Sequence, residues 1–333
     1  MARVAKVSVA TVSRALNGHD NVADEVRRRI VAVANDLHYA PHAAARSLSS
    51  RRTQAIGVVL PDLYGEFFSE LVRGIDLVSR EHGLHLLVSS YHGHPEEQGA
   101  ALRTMRGRVD GLLVMSPYVA MPSALDGLGS SLPTVLINTQ SAAGKALALG
   151  VDNYGGALAM VEHLVTSGHR RIALITGPAD NFDAHERLRG YRDAMARLLP
   201  EADEWILPGE FDEASGHRAG LELLASPQRP DAVFAANDMM ALGCLFAFAQ
   251  AGVRVPDDIA LAGFDDIPLA RFVHPSLTTM RVDIAELGGR AARMLLAQLG
   301  DKVPMPDGGP MVPELIVRES TAVPPGRDRG DSS

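Results

Sequence analysis

The sequence contains a single cysteine and no long apolar run. Cys244 therefore cannot form an internal disulfide, and no spacing of Cys and His resembles a zinc or haem site. The most apolar stretch, residues 239–251, is interrupted by Gly243 and Gln250 and is too short to span a bilayer. The N-terminus lacks the apolar segment of a signal peptide. We therefore expect a cytoplasmic protein with no metal or cofactor site and no membrane association.

The usual enzymatic signatures are also missing. The chain contains no Gly-x-Ser-x-Gly elbow and no phosphate-binding Gly-x-x-x-x-Gly-Lys loop. His185-Glu186 is followed by Arg-Leu-Arg and does not form the zinc-binding His-Glu-x-x-His motif. The twelve histidines are scattered along the chain. The sequence therefore predicts a binding protein and not an enzyme.

Charge is distributed unevenly along the chain, whose net charge is −8. Residues 1–54 carry nine Lys and Arg against four Asp and Glu, a net charge of +5. The remaining residues carry 23 against 36, a net charge of −13. A basic N-terminal segment on an acidic body predicts that a polyanion such as nucleic acid binds this segment alone.

Short apolar runs alternate with helical patterns from residue 56 onward. Runs that are apolar at every position are typical of parallel strands covered by helices on both faces. Two successive sets of such units, with a break near residues 150–170, predict two lobes with a ligand cleft at the carboxyl ends of the strands. The predicted fold class is therefore α/β, with a body of doubly wound parallel sheets. The predicted strands begin at Ile56, Leu84, Gly111, Thr134, Ile172, Ala232 and Ile259.

A helix-turn-helix is predicted in the basic segment. Its second helix opens at Ser8, whose hydroxyl can cap it, and ends before Gly18. One face is apolar, and the other mixes small apolar, hydroxyl, amide and guanidinium groups, which suits a helix in a DNA major groove. A solvated amphipathic helix with no ligand is the alternative for so short a pattern. The apolar face holds Val12, Ala15 and Leu16, and the mixed face holds Val9, Ala10, Ser13, Arg14 and Asn17.

Two further helices and a hinge complete this head. A short first helix is predicted from about Ala2 to Lys6, and a third from about Asp24 to Tyr39. The nine residues 42–50 are too few for a stable isolated helix, so this hinge should fold only against a partner. Leu48 either wedges between base steps in a minor groove or anchors the linker to the body. The third helix should pack through Val26, Ile30, Val33 and Leu37.

Several segments resemble one family throughout the chain. The stretches Ala5-Lys-Val-Ser-Val-Ala-Thr-Val-Ser-Arg-Ala-Leu-Asn-Gly and Tyr39-Ala-Pro-His-Ala-Ala-Ala-Arg-Ser-Leu resemble the headpiece and hinge of the lactose/galactose-repressor (LacI/GalR) family. Asn237-Asp-Met-Met-Ala-Leu-Gly, and Gly263-Phe-Asp-Asp followed by Pro275-Ser-Leu-Thr-Thr, are similar to its body motifs. The chain departs from the family at Lys6, where a turn glycine is expected, and at Ala23, where a helix cap is expected.

The resemblance implies a sequence-specific transcription regulator, predicted to be a repressor, that binds pseudo-palindromic operator DNA as a homodimer. A small effector bound between the lobes is expected to control operator affinity allosterically. The implied base-reading residues are Val9, Ala10 and Arg14, and Leu48 is the implied minor-groove wedge. The implied phosphate or backbone contacts are Ser8, Thr11, Ser13 and Asn17.

The resemblance also divides the chain. It implies a helix-turn-helix head at 1–40, a hinge helix and linker at 41–54, and a two-lobed body like that of periplasmic binding proteins. The N-terminal lobe would comprise 55–164 plus about 283–311, the C-terminal lobe 165–282 plus about 312–323, and a disordered tail 324–333.

Effector contacts are implied at strand ends of both lobes. A sugar hydroxyl can accept from the Arg187 guanidinium and donate to the Asp265 carboxylate, although the two side chains could instead pair with each other. Phe211 fits either a stacking platform or the core. Because Glu66 adds a carboxylate near the cleft mouth, an anionic ligand is disfavoured and a sugar or related polyol is expected. The implied contacts are Phe67, Phe68, Asp152, Asn181, Asp183, Arg187, Phe211, Asn237 and Asp265.

A solute receptor that serves a transporter is the main rival, because the same body architecture would suit it. Such a receptor should have an export signal and no basic head. The basic segment at residues 1–54 favours the transcription regulator.

Overall fold

The computed structural model describes residues 1–16, 21–37, 52–118, 132–139 and 147–322. Asn17, Leu48 and the predicted tail lie outside these residues, as does the hinge up to residue 51. The helices are α1 Val9–Leu16, α2 Asp24–Asp36, α3 Glu66–Glu81, α4 Pro95–Met105, α5 Asn153–Thr166, α6 Phe182–Leu198, α7 Glu213–Ala225, α8 Asp238–Gln250 and α9 Ile284–Gln298. The strands are β1 Ala55–Leu60, β2 His85–Ser90, β3 Gly111–Met115, β4 Thr134–Ile137, β5 Leu147–Leu149, β6 Ile172–Ile175, β7 Trp205–Leu207, β8 Ala232–Ala235, β9 Ala260–Asp265, β10 Thr278–Arg281 and β11 Glu314–Ile316.

Helix α1 has the two faces that the sequence predicts. The hydroxyl of Ser8 accepts a hydrogen bond from the Thr11 backbone N–H at 3.0 Å, which confirms the predicted cap. Val12 and Ala15 are buried, and they share a small core with Ile30 of α2. The exposed residues of the opposite face are Val9, Ala10, Ser13 and Arg14.

The rest of the head differs from the prediction in two places, the absence of a regular first helix and the earlier end of α2, and agrees with it at Ala23. Residues 2–6 form turns and no regular helix, and Lys6 has a left-handed φ of 53°, which a side chain adopts at a cost of about 1 kcal/mol. Helix α2 begins at Asp24 without a side-chain cap from Ala23. It ends at Asp36, so Leu37 is exposed and Ala34 occupies the buried position of the last turn.

The first lobe is a five-stranded parallel sheet of order β2-β1-β3-β4-β5. Strands β1, β3 and β4 are buried along their whole length, as the uniform apolar runs predict. The prediction of two buried faces is wrong for β2, where Leu87 and Val88 are exposed. This strand lies at the edge of the sheet, so it has a neighbouring strand on one side only.

The second lobe is a six-stranded sheet of order β11-β10-β9-β8-β6-β7, parallel except for β11. Together with the first lobe it confirms the predicted α/β class. Helix α9 returns to the first lobe, where it packs on α3 at Gly74 and Gly288. Helix α5 packs against α6 of the second lobe, although the interpretation of the sequence assigned residues up to 164 to the first. The passage between the lobes therefore precedes Asn153.

The pairing of α7 with α8 depends on one glycine. A Cβ on Gly243 would lie 2.8 Å from the backbone nitrogen of His217 and closer still to the Glu213 carbonyl. Alanine favours helix formation by about 1 kcal/mol over glycine. We nevertheless expect Gly243→Ala to lower the free energy of unfolding by about 2–3 kcal/mol, because the two helices must separate. Urea unfolding followed by circular dichroism measures this.

The matched control is Gly150→Ala, since a Cβ at Gly150 meets no atom within 4 Å. Equal urea midpoints for the wild type and the Gly243→Ala variant would show that α7 and α8 can move apart without a loss of stability.

Within the described residues, no helix is both long and apolar enough to cross a membrane. The same part of the chain brings no three His, Cys, Asp or Glu side chains into an arrangement that could hold a metal ion. Cys244 is a buried free thiol, and burial raises its pKa above the ordinary value.

Candidate effector site and DNA-binding face

The two lobes meet at the carboxyl ends of their strands. The Tyr64 hydroxyl donates to the Glu213 carboxylate at 3.0 Å, and the Leu269 backbone N–H donates to Glu66 at 3.0 Å. The Phe182 backbone N–H, at the start of α6, donates to the carbonyl of Pro117 at 2.7 Å. Each of these bonds joins the first lobe to the second, so the cleft is closed.

A strained turn presents Asp265 at the end of β9. Asp265 and Asp266 both have positive φ values, 110° and 55°, a backbone conformation that costs on the order of 1–3 kcal/mol per residue. The Asp266 carboxylate accepts from Arg281 Nε at 2.7 Å and from Arg318 Nη2 at 2.6 Å. These two arginines hold the turn, and the turn in turn directs Asp265 toward α6.

Arg187, on α6, is the buried cation of the cleft. Its Nη2 lies 3.3 Å from Asp265 Oδ1, and its Nη1 donates to the carbonyl of Ala236. The guanidinium carbon lies 3.8 Å from the centroid of the Phe264 ring, within cation–π range. Arg187 and Asp265 therefore pair with each other, and they do so within one lobe.

A chain of side-chain hydrogen bonds continues from Arg187 to the first lobe. Arg187 Nε donates to Asn153 Oδ1 at 2.8 Å, and Asn153 Nδ2 donates to Asp183 Oδ1 at 2.8 Å. Asp183 Oδ2 then accepts from Asn138 Nδ2 at 2.9 Å. Because Asn138 follows β4 and Asp183 lies on α6, this last bond crosses the cleft.

Three buried carboxyl groups in or near this hydrogen-bond network have raised pKa values. Burial raises the pKa of Asp183 to about 6 and that of Asp265 to about 6, although the nearby Arg187 guanidinium lowers both. Burial, and then the charge of Asp265, raise the pKa of Asp238 well above its ordinary value. Two buried carboxylates therefore lie near one buried guanidinium.

Phe211 lines the same site on the second-lobe side. It adopts a positive φ of 63°, and its carbonyl accepts from Asn237 Nδ2 at 2.9 Å. Its ring fills the space above Gly177 and lies 5.7 Å from the Arg187 guanidinium. The half-buried ring is thus positioned beside the charged groups and not deep in the core.

Three other implied contact residues have side chains engaged as helix caps. Asp152 accepts from the Gly155 N–H at the start of α5, Asn181 from the Ala184 N–H at the start of α6, and Asn237 from the Met240 N–H at the start of α8. Phe67 and Phe68 lie in the first turn of α3, with ring centroids 5.5 Å apart in an edge-to-face arrangement. The adjacent Glu66 contacts the second lobe, so this helix terminus also faces the cleft.

The sequence interpretation missed two asparagines of the hydrogen-bond chain. Asn138 follows a predicted strand directly, and a polar residue at the carboxyl end of a parallel strand is the signal that could have identified it. Asn138 Oδ1 and Ser116 Oγ, after β4 and β3, are buried and have no hydrogen-bond partner among the described residues. Asn153 follows Asp152 in the sequence, and nothing local distinguishes the capping residue from the bridging one.

The exposed face of α1 is the second candidate site. Val9 is 76% exposed, beside the exposed Ala10 and Arg14. The Ser8 and Thr11 hydroxyls lie 2.8 Å apart at the start of the helix. A surface of this kind offers apolar groups, hydroxyl groups and a guanidinium together on one helix.

Known proteins are similar to this chain in both parts. A family model described as bacterial regulatory proteins of the lacI family matches residues 1–42, and one described as a periplasmic binding protein-like domain matches residues 161–321. The HTH-type transcriptional repressor PurR of Escherichia coli is 35% identical over 332 residues, 98% of this chain and 97% of that protein.

Solved structures are similar over the same length. The Lac repressor dimer bound to operator and the anti-inducer ONPF has a TM-score of 0.83 and 28% identity, over 97% of this chain and 98% of that chain. The transcriptional regulator CelR in complex with cellobiose has a TM-score of 0.70 and 30% identity, over 96% and 98%. Head, body and their order along the chain all agree with these relatives, and the chain belongs to the LacI family of bacterial transcriptional regulators.

Proposed function

We propose that this protein is a repressor that binds operator DNA through α1 and a small neutral effector in the cleft, with effector binding controlling operator affinity. The exposed polar and apolar face of α1, on a basic head, is the observation that supports DNA binding most strongly. The Lac repressor is similar over nearly the whole chain and was solved as a dimer on its operator. We infer the same arrangement here, with two heads on a pseudo-palindromic site.

Within this proposal, Val9, Ala10 and Arg14 contact base edges. The hydroxyls of Ser8, Thr11 and Ser13 contact the phosphate backbone, together with Asn17, and Leu48 inserts into the minor groove. Apolar groups can contact thymine methyls, and an arginine can bond two acceptors on guanine.

Arg14→Ala is expected to raise the operator Kd by about tenfold to a hundredfold, the effect of losing about 1–3 kcal/mol of base contact. The operator is first selected in vitro from random DNA with the full-length protein, and Kd is then measured by fluorescence anisotropy. Arg218→Ala, an exposed arginine on α7, is the matched control. A Kd that changes equally in the two variants would contradict a base contact by Arg14.

The proposed effector is a sugar or polyol without negative charge. Asp183 and Asp265 are opposed by one buried cation, Arg187, so an anionic ligand would meet repulsion in this buried site. Asn138 Oδ1 is an acceptor without a described partner, and hydroxyl groups could donate to it. CelR, which is similar over nearly the whole chain, was solved with cellobiose.

Ribose, galactose, cellobiose and glycerol form a first panel, with gluconate and glucose 6-phosphate as anionic counterparts. A rise in melting temperature with a neutral compound and none with the anions supports the proposal. Stabilisation by the anions alone would contradict it.

A further inference from the structure

The chain enters the body through three residues, Arg52, Thr53 and Gln54, which we call the linker anchor. Asp110, directly before β3, binds two of them. Its Oδ1 accepts from the Thr53 backbone N–H at 2.6 Å and from the Thr53 hydroxyl at 2.9 Å. Its Oδ2 accepts from the Gln54 backbone N–H at 2.9 Å. Three hydrogen bonds to one charged carboxylate fix the backbone direction of the anchor.

The anchor continues the hydrogen-bonding pattern of the first-lobe sheet. The Gln54 carbonyl accepts from the His85 N–H at 3.0 Å, and the Ala55 carbonyl accepts from the Asp110 N–H at 2.7 Å. Gln54 itself has a left-handed φ of 56°, which is unfavourable for a side-chain-bearing residue. The bonds from Asp110 stabilise this bend, and the bend sets the angle at which the linker leaves the lobe.

Arg52 attaches the anchor to a second element, the end of α9. Its Nη2 donates to the Leu299 carbonyl at 2.6 Å, and its Nη1 lies 3.1 Å from Asp301 Oδ1. Leu299 is the C-terminal cap of α9, where backbone carbonyls lack helical partners and attract cations. An exposed ion pair contributes little stability alone. The Arg52 guanidinium is instead held in place because it contacts the Leu299 carbonyl and the Asp301 carboxylate at the same time.

Helix α9 connects this end of the lobe with the cleft. Immediately before it, the Val282 N–H donates to the carbonyl of Asp265 at 3.2 Å. The helix has 15 residues and spans about 22 Å. It is seated closely on α3, since a Cβ on Gly288 would lie 3.2 Å from the Ile75 nitrogen. Helix α9 thus runs from near the carboxyl end of β9, where Asp265 lies, to the Leu299 carbonyl, which accepts from Arg52.

We propose that Asp110 and Asp301 are positioning residues for the DNA-binding head, because they fix the direction in which the linker leaves the first lobe. This inference rests on the proposed function, since the head must bind DNA for its placement to matter.

Trypsin cleavage after Arg52 tests the anchor without DNA or effector. Trypsin must bind the Arg52 side chain and the peptide bond to Thr53. In the folded protein Asp301 binds the Arg52 side chain, and Asp110 accepts from the Thr53 N–H, so the anchor should slow cleavage. In the Asp110→Asn variant, the side-chain NH2 group would face the Gln54 N–H, and two donors cannot form a hydrogen bond. Asp110→Asn should speed this cleavage about tenfold in the full-length protein, as expected for the loss of about one charged hydrogen bond. Asp301→Asn removes only a partly exposed ion pair and should speed it about twofold to fivefold.

Asp76→Asn is the matched control, an exposed first-lobe carboxylate that lies 3.4 Å from Arg80. Its cleavage rate should equal that of the wild type. Asp301→Asn is the second variant, which leaves the cleaved bond unchanged. Wild-type cleavage rates in both the Asp110→Asn and the Asp301→Asn variants, at an unchanged melting temperature, would overturn the proposal.

Operator affinity tests the functional part. On a selected operator, Asp110→Asn should raise Kd about fivefold to tenfold, because the freed linker must be ordered upon binding. Faster cleavage with unchanged Kd would overturn the positioning role. Failure of the wild-type protein to select any DNA would instead refute the proposed function, and the cleavage result would still report whether the anchor exists.

Discussion

Replacing Arg187 by methionine is expected to lower the free energy of unfolding by about 3–5 kcal/mol at pH 7.5, the range observed when a buried ion pair loses one partner. Methionine fills much of the same volume, so the loss is mainly one of charge and hydrogen bonds. Asp265 would lose its cation, and Asn153 Oδ1 and the Ala236 carbonyl would lose their donor. Urea unfolding measures the effect.

The deficit should depend on pH in a definite direction. Burial holds the pKa values of Asp183 and Asp265 near 6, above those of the unfolded chain, and Arg187 lowers both. Without Arg187 both pKa values rise further, so the folded state binds protons more tightly than the unfolded state. The stability linked to this protonation is present at low pH and is lost as the pH rises through the folded pKa. The gap between variant and wild type should therefore shrink from pH 7.5 to pH 5.

Arg189→Met is the matched control on the same helix. Arg189 is about half exposed and pairs with Glu186 at 2.6 Å, so its loss should cost less than about 1 kcal/mol. A gap between Arg187→Met and wild type that stayed constant between pH 5 and pH 7.5 would show that the carboxylates are not coupled to Arg187.

Asn153→Asp is expected to be nearly as damaging, and a second substitution should repair it. The single change places a carboxylate against Asp183, where an amide now donates at 2.8 Å. Two carboxylates at this distance cannot both ionise in a buried site. We expect a loss of about 3 kcal/mol at neutral pH, from repulsion and from the missing hydrogen bond.

The double variant Asn153→Asp with Asp183→Asn exchanges the two groups and preserves the donors and acceptors that join positions 138, 153, 183 and 187. Only the long bond from Asn153 Nδ2 to the Val151 carbonyl, at 3.4 Å, is lost. The carboxylate at position 153 can accept from Arg187 Nε and from the amide at position 183. That amide can still accept from Asn138 through its oxygen. We expect a favourable coupling energy of about 2 kcal/mol in a double-mutant cycle on urea unfolding. Additive losses in the two single variants would mean that the bonds are independent.

The strands and helix α1 could be predicted because the residue patterns that specify them are local in the sequence. A run such as Ile56 to Leu60 is apolar at every position, and the structure buries all of it. The exposure of β2 could not be predicted from its similar run, since position in the sheet depends on which strands pair. Nor could the lobe to which α5 belongs be predicted. Its helical pattern is visible in the sequence, but its place in the second lobe depends on packing against α6.

The site was predicted in part. Arg187 and Asp265 were identified through the family resemblance, and the structure brings them together. Asn153, which accepts from Arg187, is 34 residues from it in the sequence, and no periodicity relates the two. Asp152 and Asn237 were expected at the ligand, whereas their side chains also satisfy backbone N–H groups three residues onward. Capping residues and ligand contacts share the same chemistry, so the sequence alone does not separate them.

Titration of the operator complex with a small neutral ligand shows whether ligand binding in the cleft controls operator affinity. Fluorescence anisotropy of the full-length protein on its selected operator would be followed with each neutral compound of the panel that raises the melting temperature. We expect a change in operator Kd of at least about tenfold in the wild type, a coupling of about 1.4 kcal/mol, and no change in Arg187→Met. A compound that binds the wild-type cleft tightly and leaves operator Kd unchanged would contradict this expectation.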